Sequence, residues 1–263
     1  MIMSDKKVAI VTGAATGIGF GGAEKYAENG WGVALIDMRQ ETLDQAVLEL
    51  KNKGYDVRGY LLDVSDYQQG KKIVTEIIKD FGRIDALFNN AGIIGHRPGI
   101  LECDPVEIKK ATEVNVFGTL YMTQHVAKYW VKNQIQGAVV NVSSIAAEMA
   151  SWDPFGYQIS KYGVKGLTKS TAFQLGSYGI RVNAVGPGHT KTEMSRIDWE
   201  NPETFELAKN ENLLHKWLNP EDIANAAFFL STDASNGITG QIVMVDAGYT
   251  VSKADNRVSL YGD

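Results

Sequence analysis

Seven short apolar runs, rich in β-branched residues, recur along the 263-residue chain with longer amphipathic stretches between them. The runs span 8–11, 33–36, 57–62, 84–88, 138–142, 180–185 and 242–245. Most are apolar at consecutive rather than alternate positions, as in strands covered on both faces. The stretches between them, at 18–29, 42–53, 67–81, 105–132, 155–177 and 220–230, space their apolar residues as helices do. Such alternation folds through right-handed βαβ units. The expected fold is therefore α/β, a seven-stranded parallel sheet with helices on both faces. No linker, low-complexity tract or charge run divides the chain, so residues 1–263 read as one domain. The polar, irregular stretch 190–217 falls between the sixth strand and the next helix. Open parallel sheets bind ligands at that end of the strands, so it is expected to be a substrate lid.

Charge and residue counts exclude several function classes. Twenty-six Lys and Arg against 31 Asp and Glu give a net charge of −5, which argues against nucleic acid or an anionic membrane surface as partner. No apolar run approaches the roughly 18 residues of a membrane span. The N-terminal apolar run is too short for the core of a signal peptide. A single cysteine, Cys103, cannot close an internal disulfide and favours a reducing compartment. A cytoplasmic location is expected. His96, His125, His189 and His215 show no paired ligand spacing, so no catalytic metal is expected.

After the first run comes TGAATGIG (12–19), with Gly13, Thr16, Gly17, Ile18 and Gly19. Glycines here let the backbone turn sharply and approach a pyrophosphate, and the following helix offers its first amides. The second strand ends at Asp37, 24 residues beyond Gly13, where a carboxylate can accept hydrogen bonds from adenosine ribose hydroxyls. Met38, directly after it, cannot pair a phosphate. Arg39 could reach one, but is expected over the adenine face or in solvent. Asp63 and Val64 either meet the adenine edge or belong to the start of the next helix, with Ser65 or Asp66 as cap. In NNAG (89–92), Asn89 is read as a tie between strands; Asn90, Ala91 and Gly92 leave room for a flat cofactor.

Ser144 stands at the end of the fifth strand, and Tyr157 and Lys161 follow at helical i, i+4 spacing. An ammonium near a phenol lowers its pKa from about 10 and makes it a usable acid/base. A serine hydroxyl beside it can bind an oxygen on which charge develops.

Taken together, TGAATGIG, Asp63-Val64, NNAG, Asn115, Ser144, YQISK (157–161), Pro187-Gly188, ITGQ (238–241) and VDAGY (245–249) resemble the short-chain dehydrogenase/reductase family along almost the whole chain. The resemblance implies a single-domain Rossmann fold and NAD(P)-dependent hydride transfer. It implies Tyr157 as acid/base, Lys161 tuning it and holding the nicotinamide ribose, and Ser144 orienting the carbonyl. Asn115, on a helix continuing to Lys132, would hold a water linking Lys161 to solvent, and Ser143 would be structural. Pro187, Gly188, Thr190 and Thr192 would contact the nicotinamide carboxamide; Thr190 replaces the family's usual Val or Ile. A homotetramer is also implied, in which the helices 111–132 and 155–177 pair across a two-fold axis. Tyr121, Met122, Val126, Tyr129 and Trp130 are expected to add apolar surface to its interface, with the tail 252–263 as a further contact. His96, Glu148, Met149, Trp152 and Asp153 fall in loops that the family places around substrate.

With Asp37 present, the expected activity is NAD-dependent interconversion of a secondary alcohol and a ketone. The polar rim favours a polyol or sugar-derived alcohol over a steroid. The alternative within the fold is an NADPH-dependent ketoacyl or steroid-type carbonyl reductase, which Asp37 disfavours. A catalytically silent dinucleotide-binding protein would need no Tyr–Lys pair.

Overall fold

The computed structural model describes residues 6–96, 99–151 and 153–252. The strands are β1 (Val8–Thr12), β2 (Gly32–Asp37), β3 (Val57–Leu61), β4 (Ala86–Asn89), β5 (Ala138–Val142), β6 (Arg181–Pro187) and β7 (Ile242–Val245). They form one parallel sheet in the order β3-β2-β1-β4-β5-β6-β7. The helices are α1 (Gly17–Glu28), α2 (Gln40–Asn52), α3 (Tyr67–Phe81), α4 (Pro105–Thr112), α5 (Thr119–Asn133), α6 (Phe155–Leu175), α7 (Arg196–Glu200), α8 (Pro202–Asn210) and α9 (Pro220–Ser231).

Side chains alternate across the sheet, so each strand feeds two cores. On one face Ala9, Val11, Leu35 and Phe88 pack with Tyr26 of α1, Leu43 and Leu50 of α2 and Ile223 and Leu230 of α9. On the other, Ile10, Ile36, Leu87 and Val139 pack with Ile77 of α3 and Met122, Val126 and Trp130 of α5. The helices thus lie on both faces, as the sequence predicts. The two edge strands depart from two-sided burial: Arg58, Gly59 and Leu61 of β3 are exposed, and all of β7 is half-buried.

Two expectations are corrected. The segment 105–132 is helical throughout, as expected, but not uniformly α-helical. The chain widens to π-helical winding over Glu113–Gly118, between α4 and α5, and such bulges frequently mark functional sites. Most of the apolar excess of α5 is not free surface either, although Tyr121 and Tyr129 stay half-exposed. Met122, Val126 and Trp130 are fully buried in the chain's own core, and the Trp130 indole N–H donates to the Ile84 carbonyl at 2.8 Å. Packing between α3 and the sheet covers more of the helix than one stripe. The tail beyond Ser252 lies outside the described residues. Among those described, no helix is long and apolar enough to cross a membrane.

Candidate active site

The sheet order reverses between β1 and β4. Their following loops therefore part, opening a crevice at the carboxyl ends of the strands. Two adjoining clefts occupy it, of about 550 Å³ and 810 Å³. Ile18, Asn90, Gly92 and Thr192 line both, so what binds in one reaches the other.

The first cleft is built by the loop after β1. Gly13 and Gly17 have φ of +61° and +56°, which glycine adopts at little cost. A Cβ on Gly19 would stand 2.0 Å from the Gly13 carbonyl oxygen and 2.5 Å from Asn90 Nδ2, so only glycine allows this fold-back. The Asn90 amide donates to the Thr12 and Gly13 carbonyls, each at 3.0 Å. Its backbone N–H and that of Ala91 donate to the Thr12 hydroxyl. Asn90 therefore holds the loop in place with its side chain. The first backbone bond of α1 runs from Phe20 N–H to Thr16. This leaves the amides of Gly17, Ile18 and Gly19 without intrahelical partners; Gly17 and Ile18 line the cleft, while Gly19 is buried behind it. First-turn amides and the positive helix end suit a phosphate.

Asp37 is nearly buried at the end of β2. Its carboxylate accepts the N–H groups of Ala15 at 3.2 Å and Arg39 at 3.1 Å. The Arg39 guanidinium lies 3.6 Å from the same carboxylate and donates to the Thr16 hydroxyl at 3.4 Å. It is thus tied to the acid and the loop at the cleft wall. Met38 stands exposed on that wall. Asp63 lines the cleft but spends Oδ1 on the N–H and hydroxyl of Ser65, at 2.9 and 2.7 Å. Asp66 caps α3 through Gln69 N–H. Val64 lines the same wall. These residues fit an adenine dinucleotide: a glycine fold-back that a Cβ would fill, free first-turn amides and a fixed acid.

The second cleft holds Ser144, Tyr157 and Lys161 together. Tyr157 and Lys161 share a face of α6, with the ammonium 5.3 Å from the phenol ring centre. Burial pushes the Tyr157 phenol up to about 12, and the hydrogen bond with Ser144 works against the rise. Burial also pulls Lys161 down to about 8. Its ammonium donates to the Val142 carbonyl at 2.8 Å. The lowering of the phenol expected from the Tyr–Lys pair is thus corrected: burial raises it, and Ser144 rather than the lysine opposes the rise. Asn115, in the π-helical turn, accepts from Ile93 N–H at 2.8 Å and donates to the Ile93 carbonyl and the Ser160 hydroxyl at 2.9 and 2.8 Å. Its amide is thus committed to protein partners. It abuts Gly92, whose Cβ position is 3.8 Å from Lys161 Nζ. Ser143 lines the cleft with its hydroxyl sealed from solvent and unbonded. Asn89 ties β4 to β5 through Asn141 and to α5 through Thr123, both at 3.0 Å.

The wall after β6 carries Pro187, Gly188, Thr190 and Thr192. The Thr190 hydroxyl donates to the Gly188 carbonyl at 2.9 Å, and Thr192 N–H to the Ser195 hydroxyl at 3.1 Å. The segment continues into α7 and α8, which border the cleft through Asp198, Thr204 and Leu207. It is pinned at its base by a parallel bridge between Thr190 and Leu218.

Of the loop residues expected around substrate, Asp153 lines the second cleft. His96 pairs with Glu107 at 2.6 Å, and Glu148 with Lys165 at 2.6 Å; neither borders the two clefts, nor does Met149. Trp152 lies outside the described residues. Sequence reasoning missed the roles of His189, Glu211, Trp217 and Tyr249, which all line the second cleft. The adjacency of His189 to Pro187-Gly188 was the available signal.

The comparisons with known proteins agree with this geometry. A family model described as enoyl-(acyl carrier protein) reductase matches residues 13–250. The chain is 37% identical over 253 residues to a diacetyl reductase [(S)-acetoin forming] of Staphylococcus epidermidis, covering 92% of this chain and 98% of that protein. It is 39% identical over 248 residues to a 3α-hydroxysteroid dehydrogenase of Mediterraneibacter gnavus, covering 93% and 97%. A solved gluconate 5-dehydrogenase from Burkholderia cenocepacia, in complex with NADP and tartrate, superposes with a TM-score of 0.89 at 27% identity, covering 95% and 98%. With motif, sheet order and near-full-length similarity in agreement, the chain belongs to the short-chain dehydrogenase/reductase family.

Proposed function

We propose that this protein is an NAD-dependent oxidoreductase that interconverts a secondary alcohol and a ketone. The observation that carries the reading is that Ser144, Tyr157 and Lys161 line one cleft continuous with the cleft of the glycine loop and Asp37. When bound, the nicotinamide dinucleotide supplies or accepts the hydride. Tyr157 gives a proton to the carbonyl oxygen in reduction and takes one from the hydroxyl in oxidation. Ser144 donates to that oxygen as charge develops. Lys161, its ammonium 5.3 Å from the phenol ring centre, would hold the nicotinamide ribose and favour the phenolate as the proton leaves. Pro187, Gly188, Thr190 and Thr192 would hold the carboxamide, and 190–217 would act as the lid. Asn115 would position the lysine through Gly92 and Ile93. Change in reduced-nicotinamide absorbance across a panel of alcohols tests the reading directly. Silence with every alcohol and ketone, with either dinucleotide, would leave only a binding role.

The substrate we favour is a polyol or sugar-derived alcohol, because Asp153, Asp198, Glu211, Ser151 and Thr204 place carboxylates and hydroxyls on the wall of the second cleft. Turnover of steroids in preference to all polyols would reverse this. A second reading, preference for NADP, has one observation in its favour, the half-exposed Arg39 at the cleft wall.

The pH dependence has a definite sign. Alcohol oxidation needs the phenolate, and burial holds the phenol protonated. Oxidation kcat is therefore expected to rise from pH 6 to 7, below the point at about 8 where Lys161 loses its proton. Carbonyl reduction uses the neutral phenol and should stay flat over that range. Initial rates in both directions check this; oxidation slowing as pH rises would remove Tyr157 as the base.

A homotetramer remains our expectation, on different surface from that expected of α5. Phe155, Ile159, Tyr162 and Phe173 form an exposed stripe along α6, Phe173 at 89% exposure, and such stripes mark contact surfaces. Light scattering at micromolar concentration should give four times the 28.8 kDa chain mass. A monomer would end the idea.

A further inference from the structure

The second cleft is charged asymmetrically. Among the described residues lining it, Lys161 is the one Lys or Arg, against the carboxylates Asp153, Asp198 and Glu211. Lys161 serves the reacting end with Tyr157. Glu211 belongs to a different part of the wall, just beyond α8. There its carboxylate lies 3.8 Å from His189 Nε2, and its backbone carbonyl accepts the Ser252 hydroxyl at 2.6 Å. The His189 ring is held between Trp217 and Tyr249, each centroid 5.3 Å away. Tyr249 is set by Asp246, which accepts from Gly248 N–H and from both the N–H and hydroxyl of Thr250. Burial chiefly raises Tyr249 and Tyr157; the charges of Glu211 and Asp153 add to the rise at Tyr249, and that of Asp153 to the rise at Tyr157. Asp153 therefore lies within electrostatic reach of both phenols, and Glu211 of the outer one. Whichever protonation state His189 takes, carboxylates outnumber cations in this cleft.

We propose that Glu211, assisted by Asp153, makes the cleft select substrates that carry no negative charge and that present hydroxyl groups to these carboxylates on the part remote from the reacting carbon. This rests on the alcohol–ketone chemistry above and narrows it to neutral polyhydroxy compounds, excluding their carboxylate analogues. The physical reason is reciprocal. A carboxylate accepts strong hydrogen bonds from hydroxyls. Set a few ångströms from a second carboxylate inside a cleft, it repels that group by a factor of 10 or more in binding.

The test uses matched pairs, one member neutral and one anionic. Glucitol and gluconate, and erythritol and erythronate, in which a terminal CH2OH becomes a carboxylate, are assayed for oxidation with NAD and NADP. The neutral member of each pair is expected to exceed the anionic one in kcat/KM by at least about 10-fold. Glu211→Gln should narrow that ratio by about 10-fold, Asp153→Asn should narrow it too, and Glu211→Asp should retain it. Thermal melting reports whether each variant folds. If Glu211→Gln does not, the wild-type ratio and competitive inhibition by gluconate still decide: gluconate is expected to inhibit at least 10-fold more weakly than glucitol competes. Equal or preferred use of the anions, or an unchanged ratio in a folded Glu211→Gln, overturns the inference. Absence of turnover across every pair with both dinucleotides overturns the alcohol–ketone reading itself, and the selectivity falls with it.

Discussion

Replacing Tyr157 with phenylalanine is expected to cut kcat by at least ~10²-fold, the usual cost of removing a general acid/base, while leaving dinucleotide affinity within a few-fold. The two effects separate because the two clefts use different groups. The first relies on the first-turn amides of α1, the Gly13–Gly19 fold-back and Asp37, none of which touches the phenol. The half-buried ring lines the second cleft, and phenylalanine keeps its shape. What disappears is the hydroxyl that bonds Ser144, and Ser144 retains Ala146 N–H as a partner at 3.1 Å. Stability should therefore change little. Lys161→Ala should be worse on both counts. It strips the Val142 carbonyl of its 2.8 Å donor, a buried loss of about 1–3 kcal/mol, and removes the positive charge beside the phenol. Steady-state rates and fluorescence titration with the dinucleotide give the two readouts. A Phe variant keeping more than a tenth of the wild-type rate would reassign the catalyst.

The strands were legible because a parallel sheet buries both faces, which leaves consecutive apolar runs in the sequence. Only β3, open at the edge, weakens that signature, and its position still shows through Val57 and Tyr60. Asp37, Ser144, Tyr157 and Lys161 were legible because each sits at a strand end or a fixed helical spacing. The π-helical turn at Glu113–Gly118 was not, because an extra residue per turn leaves no compositional trace. The apolar excess of α5 was misassigned because sequence cannot tell a helix facing water from one wedged between α3 and the sheet. Partner choice was also hidden. Nothing in the sequence says that the Asn115 amide would be committed to Ile93 and Ser160, or that Lys161 would donate to Val142. The wall formed by His189, Glu211, Trp217 and Tyr249 depends on residues up to 60 apart, so only the fold brings it together.

Cofactor choice turns on Asp37, and we expect NAD to be preferred over NADP by about 10- to 100-fold in kcat/KM. The carboxylate is fixed at the cleft wall by Ala15 and Arg39 N–H groups and cannot swing away from a 2′-phosphate. A unit charge pair at 4 Å repels by about 4 kcal/mol at an effective dielectric near 20. Solvent and salt bring this to about 1–3 kcal/mol, which is the stated range. The acid also accepts ribose hydroxyl bonds only while the 2′ position is free. Arg39 works in the opposite direction. Its guanidinium is 3.6 Å from the Asp37 carboxylate, so it offsets part of the repulsion, and it stands beside Thr16 on the same wall. While Asp37 is present, that guanidinium is already committed to a carboxylate and a hydroxyl. Asp37→Ser removes the repulsion and releases Arg39, and Met38→Arg adds a second cation at an exposed position of the wall. The double variant should therefore gain at least about 10-fold in NADP use and lose in NAD use. Arg39→Ala in the wild-type background should deepen the preference for NAD. That a structural neighbour was solved with NADP bound makes kcat/KM for both cofactors in all three proteins the decisive measurement. Wild-type preference for NADP, or no gain in the double variant, would transfer control of the choice from Asp37 to Arg39.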